Sequence, residues 1–346
     1  MSSNRIKWID TCKGIGIILV IIGHTPIDPT ARSIIYAFHM PLFFFISGYF
    51  FSEDRYKNLK EITISKFKSL MIPYISFSII SVFLLRFFFD QPIALRVFLE
   101  QMIISKRNSI SYDDPIWFLT SLFTIEILFY LLAKLSKNIN IRLLIVLLIG
   151  LVASIGLKVL AGGNILPWSL DQSLYYLIYF GLGYYIKRIN FFENNKQKSY
   201  VIFLNSILFL LLIPFQEVYY RFWNLLSLPS SLFSFIDAII WAVLGISLVI
   251  FVSQFLSYVS WLNFLGKNSL IFMSLHIPLG FNFYNTFIRG KLGIEITNLN
   301  LFGISVALCT IIILIPTSII INRYFPFILG RNLNQMSVLK IKEKGL

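Results

Sequence analysis

Apolar stretches long enough to cross a bilayer recur from one end of this chain to the other, with little between them. That pattern decides the fold class before any motif is weighed. A helix must cover roughly 17–25 residues to span the hydrocarbon core. Stretches that meet or approach that length lie at 12–26, 33–52, 70–89, 114–134, 142–161, 172–187, 200–216, 234–256, 266–286 and 299–322. The expectation is a single all-α polytopic membrane domain over 1–346, with about ten transmembrane helices. Composition agrees. Hydrophobic residues make up 57% of the chain and charged ones 13%, against roughly 25% charged in an ordinary soluble domain. The segment 91–107 is too polar to span and reads as an outer loop carrying an interfacial helix.

Lys and Arg placement sets the orientation. With the N-terminus inside, the inner segments hold 21 of the 30 basic residues and the outer segments 8, with Arg86 inside a span. Both termini are therefore expected in the cytoplasm. The net charge of +14 then reflects topology and anionic headgroups, and no basic, aromatic-studded stripe suggests a nucleic-acid partner. The first apolar run outlasts a signal-peptide core and no small-x-small site follows it, so no cleaved leader is expected. Cys12 and Cys309 fall at different depths, which does not suggest a disulfide. No metal-ligand spacing, phosphate-binding loop or clear internal repeat appears.

The chemistry-bearing residues are those that such a medium disfavours. All three histidines, His24, His39 and His276, lie in apolar stretches. Ionisable groups at membrane depth are costly and usually face an interior or a water-filled cavity. Lys13 and His24 are eleven residues apart, about three turns and ~16 Å of rise, so they share a face of the first helix. Asp10, three residues before Lys13, can pair with it or serve as an interfacial anchor. Pro41, two residues after His39, frees a carbonyl in the second helix. Glu126 is mid-span and can pair with Arg86 or orient a histidine. Lys267 and Asn268 sit at an inner helix end suited to an anion, or to ordinary topology. Residue types alone leave proton-coupled transport and intramembrane acid–base catalysis both open.

Spacing and order add a resemblance. IDTCKGIGIILVIIGH carries a basic-x10-His motif in Lys13 and His24, and FHMPLFFFISGYFF (38–51) follows it. KFKSLMIPY (66–74), PIWFLTSLFTIEILFYLL (115–132) and FLGKNSLIFMSLH (264–276) come after in order. The chain resembles the integral-membrane acyltransferase family 3, in its short branch without a soluble domain, which O-acetylates surface polysaccharides. It departs from members with an Arg-x-x-Arg pair before the third helix, where Lys66 and Ser69 stand here.

The resemblance implies transfer of an acetyl or other small acyl group from cytoplasmic acyl-CoA to a hydroxyl of a glycan or lipid-linked sugar. The implied setting is a bacterial plasma membrane, with glycan-assembly proteins as further partners. No permanently bound cofactor or metal is expected. His24 would be the base or a transient acyl carrier, His39 would orient the acyl carbonyl or the second substrate, and Glu126 would tune a histidine. Lys13, Asp10 and Lys267 would serve the CoA end, and Arg86, Trp117 and His276 the acceptor end. The tryptophans at 117, 168 and 223 and the Tyr175–Tyr176 pair could stack on sugar rings, although interfacial aromatic belts supply such residues anyway. A flippase or transporter of a polysaccharide intermediate with a proton-relay histidine set is the alternative, and a non-catalytic scaffold the third reading.

Overall fold

Each of the ten apolar stretches lies mainly on helix where the chain is described, and no strand occurs among the described residues. The computed structural model describes residues 7–160, 166–192, 196–215 and 229–331, and their side chains except at 157–160 and 196–199. The last residues of the 142–161 and 200–216 stretches, Trp223 and both chain ends lie outside those residues.

The helices are α1 (Lys7–His24), α2 (Pro29–Phe50), α3 (Leu59–Phe88), α4 (Leu95–Ile104), α5 (Trp117–Leu135) and α6 (Ile139–Leu160). They continue as α7 (Leu170–Arg188), α8 (Lys196–Leu212), α9 (Ser230–Phe255), α10 (Ser260–Lys267), α11 (Ser269–Leu275) and α12 (Leu299–Tyr324). Past Leu275 the chain keeps winding as wider π turns, His276–Phe281 and Tyr284–Lys291. A further π segment, Phe67–Met71, lies inside α3.

Among the described residues six helical segments are long and apolar enough to cross a membrane: α2, α3, Asp114–Leu135, Ile139–Gly156, α9 and α12. The other sequence-marked stretches fall short for readable reasons. Helix α1 carries Lys7, Asp10 and Lys13 within its 18 residues. Helix α7 holds Asp171, Lys187 and Arg188, α8 stops at 17 residues, and the 266–286 stretch breaks at Asn268. The polar segment 91–107 forms α4, whose 10 residues cannot span. Outward faces are apolar, as lipid contact requires: Leu301, Leu308, Ile312 and Ile319 form one exposed strip along α12. This is a multi-pass membrane architecture.

Local chemistry sets the turn that matters most. After α1 the chain reads TPIDP, and the Asp28 Oδ1 caps α2 by accepting from the Thr30 and Ala31 amides at 2.9 and 3.0 Å. Pro29 occupies the first helical position, where no amide hydrogen bond is lost. Arg32 donates to the Thr25 carbonyl at 2.9 Å, and Asn300 Oδ1 accepts from the Asp28 amide at 2.9 Å. The α1–α2 hairpin is thereby locked to α12.

Two close crossings hold the bundle around this hairpin. A Cβ on Gly14 would strike the Leu262 carbonyl and one on Gly266 the Asp10 carbonyl, so α1 and α10 meet backbone to backbone. Gly48 and Gly183 do the same between α2 and α7, against the carbonyls of Phe180 and Phe45. Small residues at such contacts replace the hydrophobic drive that lipid removes. On the opposite side from the histidines, buried Glu53 accepts from Arg142 at 2.9 Å, the Tyr184 hydroxyl at 2.6 Å and Arg188 at 3.1 Å. This network ties the loop after α2 to α6 and α7.

Gly48→Val should force α2 and α7 apart at a cost of at least about 1–3 kcal/mol, read as a lower Tm in detergent. Burial alone would raise the Glu53 carboxyl. The Tyr184 hydroxyl with Arg142 and Arg188 outweighs it and holds the group down to about 2. Its stabilising contribution is therefore complete above the ordinary value of 4.5 and is lost as pH falls toward about 2. Thermal melts across that window should show a steep acid loss in the wild type and a shallower one in Glu53→Gln; equal slopes would exclude Glu53 as the cause.

Candidate active site

The three histidines, up to 252 residues apart in sequence, converge at one end of the α1–α2 hairpin. His24 is the last residue of α1, and its ring centroid lies 5.1 Å from that of His276. Tyr36 on α2 bridges to the third member, 5.9 Å from His24 and 5.0 Å from His39.

Each ring is oriented by its own helix. The Nδ1 of His24 is 2.8 Å from the Val20 carbonyl, that of His39 2.9 Å from Ile35, and that of His276 2.7 Å from Met273. A carbonyl oxygen can only accept, so Nδ1 carries the proton in each case, and a neutral imidazole so placed leaves Nε2 bare. All three Nε2 atoms are thus lone-pair acceptors. The one on His276, wholly buried, meets no hydrogen-bond partner among the described residues.

A cavity of about 200 Å³ opens onto this group, with His24, His39, Tyr36 and Met40 on its hairpin side. Arg107, Asn108, Asp114 and Trp117 close it from the loop between α4 and α5 and from the start of α5. His276 stands behind His24 and does not line this cavity, so it supports the ring and is not placed to touch an acceptor held there.

The closing loop is well anchored. Ser105, in the left-handed region at φ 47°, pairs its hydroxyl with Thr120 at 2.8 Å, and its carbonyl accepts from Ser169 at 2.9 Å. The Arg107 amide donates to Ser169 Oγ at 3.0 Å and its guanidinium to Gln172 Oε1 at 2.8 Å. That guanidinium lies 5.2 Å over Trp117, which stacks on Tyr176, which stacks in turn on Phe44.

The remaining sequence candidates distribute unevenly. Trp117 stands in the cavity wall. Arg86 is exposed, over the Phe87 ring, and neither lines the cavity nor pairs with Glu126. Glu126 forms its ion pair at 2.9 Å with Lys66. Its buried charge is matched there and not by a histidine, which corrects both sequence expectations for Glu126. Asp10, Lys13 and Lys267 gather at the other end of α1, because the Gly14–Gly266 crossing sets α10 against the Asp10 backbone. Lys13 lies over Phe50 at 5.6 Å, and Lys267 is exposed. Tyr176 is buried and stacks on Phe44 and Trp117, which leaves it no exposed face for a sugar, while Trp168 donates to the Ile103 carbonyl at 3.0 Å. Sequence reasoning passed over Arg107, Tyr36 and Asp114. The one signal in the sequence was DDP (113–115), one residue short of Trp117.

Removing one partner of a buried ion pair leaves the other uncompensated, at a cost of about 3–5 kcal/mol. Glu126→Ala should therefore lower the Tm strongly, and adding Lys66→Met should recover most of the loss. A single replacement that left Tm unchanged would show that the pair does not hold α3 to α5.

The profile of a family described as acyltransferase domain matches residues 6–323, nearly the whole chain and all of the elements that build the cavity. No curated relative and no solved structure matches the chain. With that match over this buried histidine site, the chain belongs to acyltransferase family 3.

Proposed function

We propose that the protein is a membrane-embedded O-acyltransferase with His24 as its base. In this reading it moves an acetyl or other small acyl group from cytoplasmic acyl-CoA to a hydroxyl of a cell-surface polysaccharide or lipid-linked sugar. The observation that carries the reading is the shared orientation of the histidines: each commits Nδ1–H to its own helix, and two of the bare Nε2 edges belong to residues lining one cavity.

A hydroxyl is a weak nucleophile at neutral pH, and a positioned base is the group it lacks. His24 Nε2 takes the hydroxyl proton as the oxygen attacks the acyl carbon. His39, whose Nε2 also accepts, holds a second hydroxyl of the sugar; it has no proton to offer an acyl carbonyl in this tautomer. Behind the reacting face, the wholly buried His276 limits how far the His24 ring can swing. Helix α1 carries both ends of the reaction. Lys13, with Lys267 beside the same crossing, serves the CoA phosphates about 16 Å of helix rise from His24. Ten spans, cytoplasmic termini and residence in a bacterial plasma membrane complete the reading, supported by the basic residues on the Lys13 side.

The test supplies labelled acetyl-CoA and a glycan-lipid extract to the purified protein. His24→Ala should lower transfer by about 10²–10⁴-fold while Tm stays within a few degrees of wild type. Turnover retained by the variant would remove His24 from the mechanism. Label trapped on wild-type protein would make His24 an acyl carrier instead of a base. Wild type that moves the lipid-linked sugar across vesicles without consuming donor would be a transporter.

A further inference from the structure

We infer that Arg107 is the oxyanion-binding residue of this cavity. The inference rests on the proposed acyl transfer and adds the group that reaction still requires. Attack of a hydroxyl on a thioester forms a C–O bond and pushes the carbonyl electron pair onto oxygen. That charge needs fixed hydrogen-bond donors in a site where water is scarce. The tautomers set by the backbone disqualify the histidines, since His24 and His39 both present bare Nε2 atoms. Asp114 offers carboxylate oxygens, which only accept. Tyr36, Asn108 and Trp117 offer neutral donors in the same wall, and among the described residues Arg107 is its one permanent cation.

Its placement suits the task better than a chance surface arginine would. The residue is half-buried in a loop otherwise fixed by Ser105 and Ser169. One N–H is held by Gln172 at 2.8 Å and the guanidinium plane is supported 5.2 Å above Trp117. A guanidinium has five N–H donors in a rigid fork. Tethering one of them to Gln172 orients the fork without exhausting it. Opposite stand the His24 and His39 rings, on the two helices of the hairpin.

The hydroxyl proton passes to His24 Nε2, the new C–O bond forms, and the carbonyl oxygen becomes an oxyanion bound by Arg107. The oxyanion then re-forms the carbonyl, the C–S bond breaks, and the departing thiolate takes the proton back from His24. The products are the O-acyl ester and free thiol, with no oxidant or further reactant.

Arg107→Ala, Arg107→Lys and wild type are compared with labelled acetyl-CoA and the same glycan-lipid extract, with kcat and the acceptor KM measured separately. The expected result is a fall in kcat of about 10²–10³-fold in Arg107→Ala, with the acceptor KM nearly unchanged. Arg107→Lys keeps the charge but loses the fork and should lie between. Added guanidinium ion should restore part of the Arg107→Ala rate and none of the rate of His24→Ala. Recovery of that kind also shows that the variant is folded. A raised acceptor KM at unchanged kcat would overturn the inference and make Arg107 a reader of an anionic group on the acceptor. Wild-type rates in both variants would overturn it outright. If wild type itself transfers nothing, the proposed function fails first and this step fails with it.

Discussion

The hydrogen bond from each histidine Nδ1 to a carbonyl in the preceding turn is the interaction on which the site depends. In hydrocarbon a polar group without a partner costs several kcal/mol, and no solvent is at hand to supply one. The carbonyls of Val20, Ile35 and Met273 are already part of the helices. By taking a second donor they fix the ring plane, the tautomer and the direction of Nε2 together. No second-layer carboxylate is required for this, which leaves Glu126 available for an unrelated task. It matches the charge of Lys66 across the α3–α5 contact.

The same rule of internal matching separates the two ends of the bundle. Toward the histidines, polar side chains are neutral or singly charged and sit on serine and threonine hydroxyls, as around Ser105, Thr120, Ser169 and Ser173. Around Glu53 the charges are grouped, one carboxylate against Arg142 and Arg188. A clustered ion network fixes loops but leaves no unmatched group for chemistry. The histidine end retains bare nitrogen atoms in a cavity beside Arg107, which is where group transfer can be accommodated.

Much of the helical fold was legible because lipid imposes a length and a composition on each span, and six of the apolar stretches coincide with helical segments that satisfy both among the described residues. The distinction between six robust spans and the weaker ones was less visible, since it turns on where a few charges fall, such as Lys7, Asp10 and Lys13 in α1. His24 and His39 stood out through their medium, because an imidazole in an apolar run must find its partner inside the protein. Glu126 was legible as unusual but not as paired, since its partner sits 60 residues earlier beside a π turn that shifts the helix register. Arg107 could not be read at all. Its neighbours in sequence are loop residues, and its role comes from Ser169 and Gln172, more than 60 residues away.

Helix α1 explains why a membrane enzyme can build such a site from so few polar residues. Between Cys12 and Gly23 its inward face is apolar and tightly packed, with Cys12, Ile17 and Ile21 wholly buried. Gly14 seats it backbone to backbone on α10, and Gly16 and Gly23 bring it close to Phe43 and Tyr36 of α2. A rod held so closely has little freedom to tilt, so the separation of Lys13 from His24 is fixed by helix rise alone. In the proposed reaction a donor whose phosphates bind at Lys13 must reach His24 along that rod, and the acceptor must meet it from the Arg107 side. The bilayer-crossing part of the transfer is then carried by the length of the donor arm, and the protein need only keep both ends of one helix in place.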